Sequence, residues 1–111
     1  GVKQGKEYAI LTNEISQAWS GMTTKEYKNF KGLKKENLRD NMSNLELVLN
    51  MLAEVSTTEI SRGSNPQGFE ESKKVARQGG NVARNAREDI EKQSGKSAIT
   101  SKTAKDSDQI E

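Results

Sequence analysis

The stretch Ser43–Ser61, SNLELVLNMLAEVSTTEIS, constrains the fold of this chain more than any other segment. At about 100° per residue on a helical wheel, Glu46, Asn50, Glu54 and Thr57 fall in one stripe about 80° wide. Leu45, Leu47, Val48, Leu49, Met51, Leu52, Ala53 and Val55 cover roughly the other 240°, whereas an ordinary surface helix has an apolar stripe of about 100° or a little more. A helix so widely apolar is expected to be enclosed on most sides, by other elements or by a second chain. Ser43 and Glu46 have the S-x-x-E spacing of a capping box, which marks where it starts.

The rest of the chain has little to enclose it with. Only 31% of residues are apolar and another 31% are charged, so the core must be small. That favours a domain that oligomerises, leans on a neighbour or carries a loose tail. From Lys6 to about Trp19, Tyr8, Leu11, Ile15 and Ala18 or Trp19 recur at helical spacing, and Gly21 punctuates the end. Thr23 and Glu26 repeat the capping-box spacing and open a short helix, TKEYKNFKG. After the central helix, the cluster from Arg62 to Gly68 makes a turn short enough that the flanking helices run antiparallel.

Phe69, Ser72, Ala76, Gly79, Ala83, Ala86 and Ile90 then follow a 3-4 spacing, a seam of mostly small residues that gains its stability from close backbone approach. Gly79 and Gly80 each cost a helix about 1 kcal/mol relative to Ala. Either the helix continues and a neighbour packs tightly there, or it breaks in two. The seam keeps its phase across the pair, which favours continuity. Gly95 stops the helix, and the polar remainder has only Ile99 and Ile110 as large apolar residues, so alone it would be disordered unless Ile99 docks. The predicted architecture is an all-α bundle: two long antiparallel helices (about 43–61 and 69–94), two shorter amino-terminal helices and a polar tail. Residues 1–95 form the domain and 96–111 the tail.

Catalytic chemistry is not expected. The chain has no histidine and no cysteine, which removes the usual general base, thiol nucleophile and transition-metal ligands. No Ser-x-x-Lys spacing occurs, and Gly95-Lys96-Ser97 lacks the earlier glycine of a phosphate-binding loop. No cofactor or metal is implied, and no run of 18 apolar residues suggests a membrane span. A net charge of +2 gives no large field, so any nucleic-acid contact must rest on local patches.

Between Met22 and Met42, Lys25, Lys28, Lys31, Lys34, Lys35 and Arg39 face only Glu26, Glu36 and Asp40, with Tyr27 and Phe30 among them. This is the pattern of a phosphate contact, although a solvated helix face gives the same count. Arg77, Arg84 and Arg87 line one edge of the second long helix, to grip phosphates or to pair at i,i+4, as Arg84 with Glu88 and Arg87 with Glu91 would. The candidate partner interface comprises Trp19, Leu47, Met51 and Val55 with the small residues Ala76, Gly79 and Ala83. Trp19 reads as an interior or interface anchor more simply than as a platform for bases.

The segments YAILTNEISQAWSGM and KGLKKENLRDNMSNLELVLNMLAEVSTTE, with Phe69-Glu70 and Lys74-Val75-Ala76-Arg77, resemble the carboxy-terminal region of the DNA-damage-inducible protein D family of bacteria and phages. The similarity runs from about Tyr8 to Ile99. Members usually carry an amino-terminal Bro-type domain, shared with phage antirepressor-like proteins and regarded as DNA-binding, so this chain is expected to be part of a longer protein. The resemblance implies a cytoplasmic role in the DNA-damage (SOS) response, near the nucleoid, by modulating recombinase–single-strand complexes. The resulting expectation is a non-enzymatic helical module that binds DNA-repair proteins and oligomerises. The alternative is direct binding of DNA phosphates by the lysines and arginines named above.

Overall fold

In a computed structural model, which describes residues 2–106, the chain folds into four α-helices and two single 3-10 turns. The helices are α1 (Val2–Ser20), α2 (Thr24–Phe30), α3 (Asn44–Ser64) and α4 (Gly68–Ser94), and the turns are Arg39–Asn41 and Ala104–Asp106. This is the all-α bundle the sequence predicts, although α1 starts earlier than Lys6 and, at 19 residues, is nearly as long as α3. Ile110 and the rest of the tail beyond Asp106 lie outside the described residues.

Local chemistry sets the boundaries. At α2, Thr23 Oγ1 accepts from the Glu26 N–H (3.1 Å) while the Glu26 carboxylate accepts from the Thr23 N–H (2.9 Å). Ser43 and Glu46 repeat the reciprocal cap at α3. Asn65 ends α3 in the left-handed region at φ 48°, and Gly95 ends α4 at φ 73°. The α4 helix is continuous through Gly79-Gly80.

That glycine pair shows how the helices assemble. A Cβ at Gly79 would stand 2.5 Å from the Thr57 nitrogen and 2.6 Å from its Cα, on α3. A Cβ at Gly80 would stand 2.8 Å from the Ile15 carbonyl oxygen and closer still to the Ala18 Cβ, on α1. Two adjacent residues therefore admit two different helices to the α4 backbone. The short turn at 65–67 makes α3 antiparallel to α4. The pairs Arg77–Glu14 (2.9 Å) and Arg87 to the Trp19 carbonyl (2.9 Å) show that α1 runs parallel to it. The organising element is thus α4, the helix with the smallest side chains on its buried face, and not the apolar-rich α3.

The core forms where the helix ends meet. It contains Trp19, Tyr27, Met42, Leu49, Ala53, Ala83, Ala98 and Ile99, with Ile15, Leu38, Leu45, Leu47 and Leu52 packed against it. Ile99 docks, so the tail through Lys105 is part of the fold and not a loose end. With extents of 44 × 33 × 16 Å, the molecule is a slab. A slab cannot wrap α3, and this corrects the expectation of enclosure on most sides as far as the chain's own elements are concerned. Val48, Met51 and Val55 are 59%, 52% and 58% exposed, while Glu46, from the polar stripe, is fully buried.

A buried lysine clamp and the surfaces around it

The amino-terminal part of the polar stripe of α3 turns inward, at Glu46 and less fully at Asn50, because these groups find partners there. Glu46 and the Lys31 side chain are both 0% exposed, and Lys31 Nζ lies 2.9 Å from Glu46 Oε1. An ammonium has three donors. The other two go to the main-chain oxygens of Thr100 (2.6 Å) and Lys102 (2.7 Å) in the tail. Glu46 also accepts from the Tyr27 hydroxyl through Oε2 and from the Ser43 N–H through Oε1 (2.8 Å), so its capping role and its pairing role coincide. Burial, then the hydrogen bond to Glu46 and the charge of that carboxylate, push the Tyr27 phenol well above its ordinary range, against a smaller opposing effect of Arg87. The Lys31 ammonium also stands 5.8 Å from the Tyr27 ring centroid.

Further along the tail, Asn41 Oδ1 accepts from the Ala104 N–H (2.9 Å), and Glu91 accepts from the Ala98 N–H (2.8 Å). Higher on α3, the Trp19 indole donates to Asn50 Oδ1 (3.2 Å), and Glu54 pairs with Arg39. Among the described residues no buried side-chain nitrogen or oxygen lacks a partner. A buried polar network satisfied throughout fixes one packing of its elements.

The Glu91 carboxyl gives this region a pH dependence. Burial alone would raise it, but the Ala98 N–H and the Arg87 guanidinium outweigh burial and hold it below the usual carboxylate range. A depressed carboxyl stabilises the fold above its unfolded-state value and loses that contribution as pH falls through the folded-state value. Acidification below about pH 4.5 should therefore loosen the tail, seen as faster exchange of the Ala98 amide hydrogen. A Glu91→Gln variant should flatten that response, and an unchanged profile in the variant would contradict the assignment.

The structure separates the candidate site residues. Trp19, Ala76, Gly79 and Ala83 are buried within the chain's own core and are not available to a partner, and Leu47 is half-buried against it. Met51 and Val55, with Val48, form an outward apolar stripe at i, i+3 and i+7. Lys31 is removed from the candidate phosphate ligands by its burial in the clamp. The arginines are all paired: Arg77 with Glu14, Arg84 with Glu88 and Arg87 with Glu91, the last two at 3.3 Å. Lys25, Lys34 and Lys35 are exposed, and Lys28 is half-buried at the edge of a groove. Val48, Glu46, Lys102 and Lys105 are absent from the sequence-based candidates. The capping box was the one signal that pointed to Glu46, and only tail docking reveals the two tail lysines.

The groove has a volume of about 890 Å³ and lies between α1 and α3. Tyr8, Leu11 and Ile15 form one wall, Asn50, Glu54 and Thr58 the other, with Ser72 and Ala76 of α4 between. Among the described residues no cluster of His, Cys, Asp or Glu could hold a metal ion, and no helix is long and apolar enough to cross a membrane.

Comparison with protein families matches residues 1–108 to the family described as the DinD C-terminal domain. No curated protein and no solved structure gives a significant match.

Proposed function

Because the chain belongs to the DinD C-terminal domain family, we propose that it is a non-enzymatic interaction and self-association module of a DNA-damage-response protein. It works in the cytoplasm beside a DNA-binding domain and modulates recombinase–single-stranded DNA complexes. The observation that carries this reading is the stripe Val48, Met51 and Val55. Three large apolar side chains on one face of α3, each more than half exposed, lie in a chain too small to cover them. Exposed apolar area of that kind marks a site of association, and a straight helical stripe packs readily against a copy of itself about a two-fold axis. Arg39 neutralises Glu54 near it on α3, which lowers the charge a second copy would meet.

Sedimentation across micromolar concentrations tests the self-association. The chain should show concentration-dependent association, and Val55→Glu should abolish it while leaving helical content and melting temperature unchanged, because Val55 contributes little to the core. A wild-type chain that stays monomeric throughout would remove this part of the reading. The recombinase part is tested by adding the chain to recombinase–single-strand filaments and following strand exchange. An unaltered rate would exclude it.

A further inference from the structure

Docking of the tail builds a surface that neither participating segment makes alone. The connector after α2 and the tail lie side by side, fixed by the Lys31 contacts to the Thr100 and Lys102 carbonyls and by Asn41 to the Ala104 N–H. This brings the tail segment that carries Lys102 and Lys105 alongside the connector that carries Lys34 and Lys35, and all four side chains are exposed. None of the four forms an ion pair among the described residues, and neither do Lys25 and Lys28 on α2, whereas Arg39, Arg62, Lys73, Arg77, Arg84 and Arg87 all do. The intervening acid, Glu36, is turned back on the connector, accepting from the N–H groups of Lys34 (2.9 Å) and Lys35 (3.0 Å). Those hydrogen bonds hold its carboxyl below the ordinary range, and the charge of Lys105 is near enough to add to the effect. The docked tail thus brings together four exposed lysines from segments about 70 residues apart in sequence.

We propose that Lys34, Lys35, Lys102 and Lys105 form a binding face for the phosphodiester backbone of a nucleic acid, and that the face is complete only when the tail is docked. Four flexible ammonium groups on an open surface, with no enclosing pocket, suit a repeating polyanion contacted charge by charge, without base readout. Binding and tail docking must then reinforce each other, because a ligand that bridges both segments binds the docked form better. The inference is independent of the apolar stripe on α3, so Val55→Glu leaves it intact.

The test is titration of the full chain against labelled 20-nucleotide single strands and 20-base-pair duplexes between 50 and 200 mM salt. Four phosphate contacts predict a slope of log affinity on log salt of about −3 for single strands and about −3.5 for duplex. Lys34→Glu with Lys35→Glu, and separately Lys102→Glu with Lys105→Glu, should each lower affinity more than tenfold and make the slope shallower by about 1.5. Lys25→Glu should change neither. Saturating oligonucleotide should slow exchange of the Ala104 amide hydrogen. No binding at 50 mM salt, equal losses for Lys25→Glu, or equally tight binding of polyglutamate would each overturn the proposal. Unchanged Ala104 exchange would overturn its dependence on the tail.

Discussion

Replacing Lys31 with Met should cost this domain about 3–5 kcal/mol, the penalty for breaking a buried ion pair by removing one partner. The loss has two parts. Glu46 keeps its Tyr27, Ser43 and Thr100 donors but loses the ammonium paired with it. The Thr100 and Lys102 carbonyls lose their shared donor, which leaves the tail to Ile99, Ala98, the Thr100 N–H to Glu46 and the Asn41 and Glu91 contacts among others. Against a total stability of about 5–15 kcal/mol for a domain of this size, that loss is large. It corresponds to roughly 15–25 °C in melting temperature. Lys31→Met combined with Glu46→Leu should recover much of it, because an apolar pair leaves no buried charge unmatched. Urea unfolding of the two single variants and the double variant measures the coupling. A loss below about 1 kcal/mol for Lys31→Met would show that water reaches the pair.

The second large effect is expected at Gly79, where the sign is informative. In an exposed helix interior, Gly→Ala stabilises by about 1 kcal/mol. At Gly79 the new methyl would meet the Thr57 backbone, which belongs to a neighbouring helix and cannot swing aside as a flexible side chain could. The helices α3 and α4 must separate, and overpacking of this kind costs about 1–3 kcal/mol or more. Gly79→Ala should therefore lower the melting temperature despite its better helix propensity. Gly63, with nothing within 4 Å of an added Cβ, is the matched control and should tolerate the change. Stabilisation by Gly79→Ala would refute the three-helix junction.

Much of this fold is legible in the sequence because it rests on local rules. The two capping boxes, Gly95 as a stop and the small-residue seam all act over a few residues and are found in place, while the turn read at 62–68 narrows to 65–67 because α3 continues through Ser64. What the sequence hides is the direction in which α3 faces. A hydropathy wheel assigns Glu46 to water and Val48 to the interior, because it weighs side chains one at a time. The burial of Glu46 depends on Lys31, 15 residues earlier, and on carbonyls more than 50 residues later. No local pattern carries that information. The same holds for the lysine face, whose members join only after the tail returns. It holds also for the primacy of α4, since what qualifies that helix for the centre is the volume its residues lack.

The clamp grips residues 100 and 102 by their main-chain oxygens, and this has a consequence for what can be written into the segment. The side chains of Ser101 and Lys102 are exposed and make no contact with the clamp. Their spelling is thus decoupled from their placement. Epitopes, reporter groups or an inverted charge can be installed there with the backbone trace preserved, so the tail serves as a rewritable label whose mount stays the same whatever is printed on it.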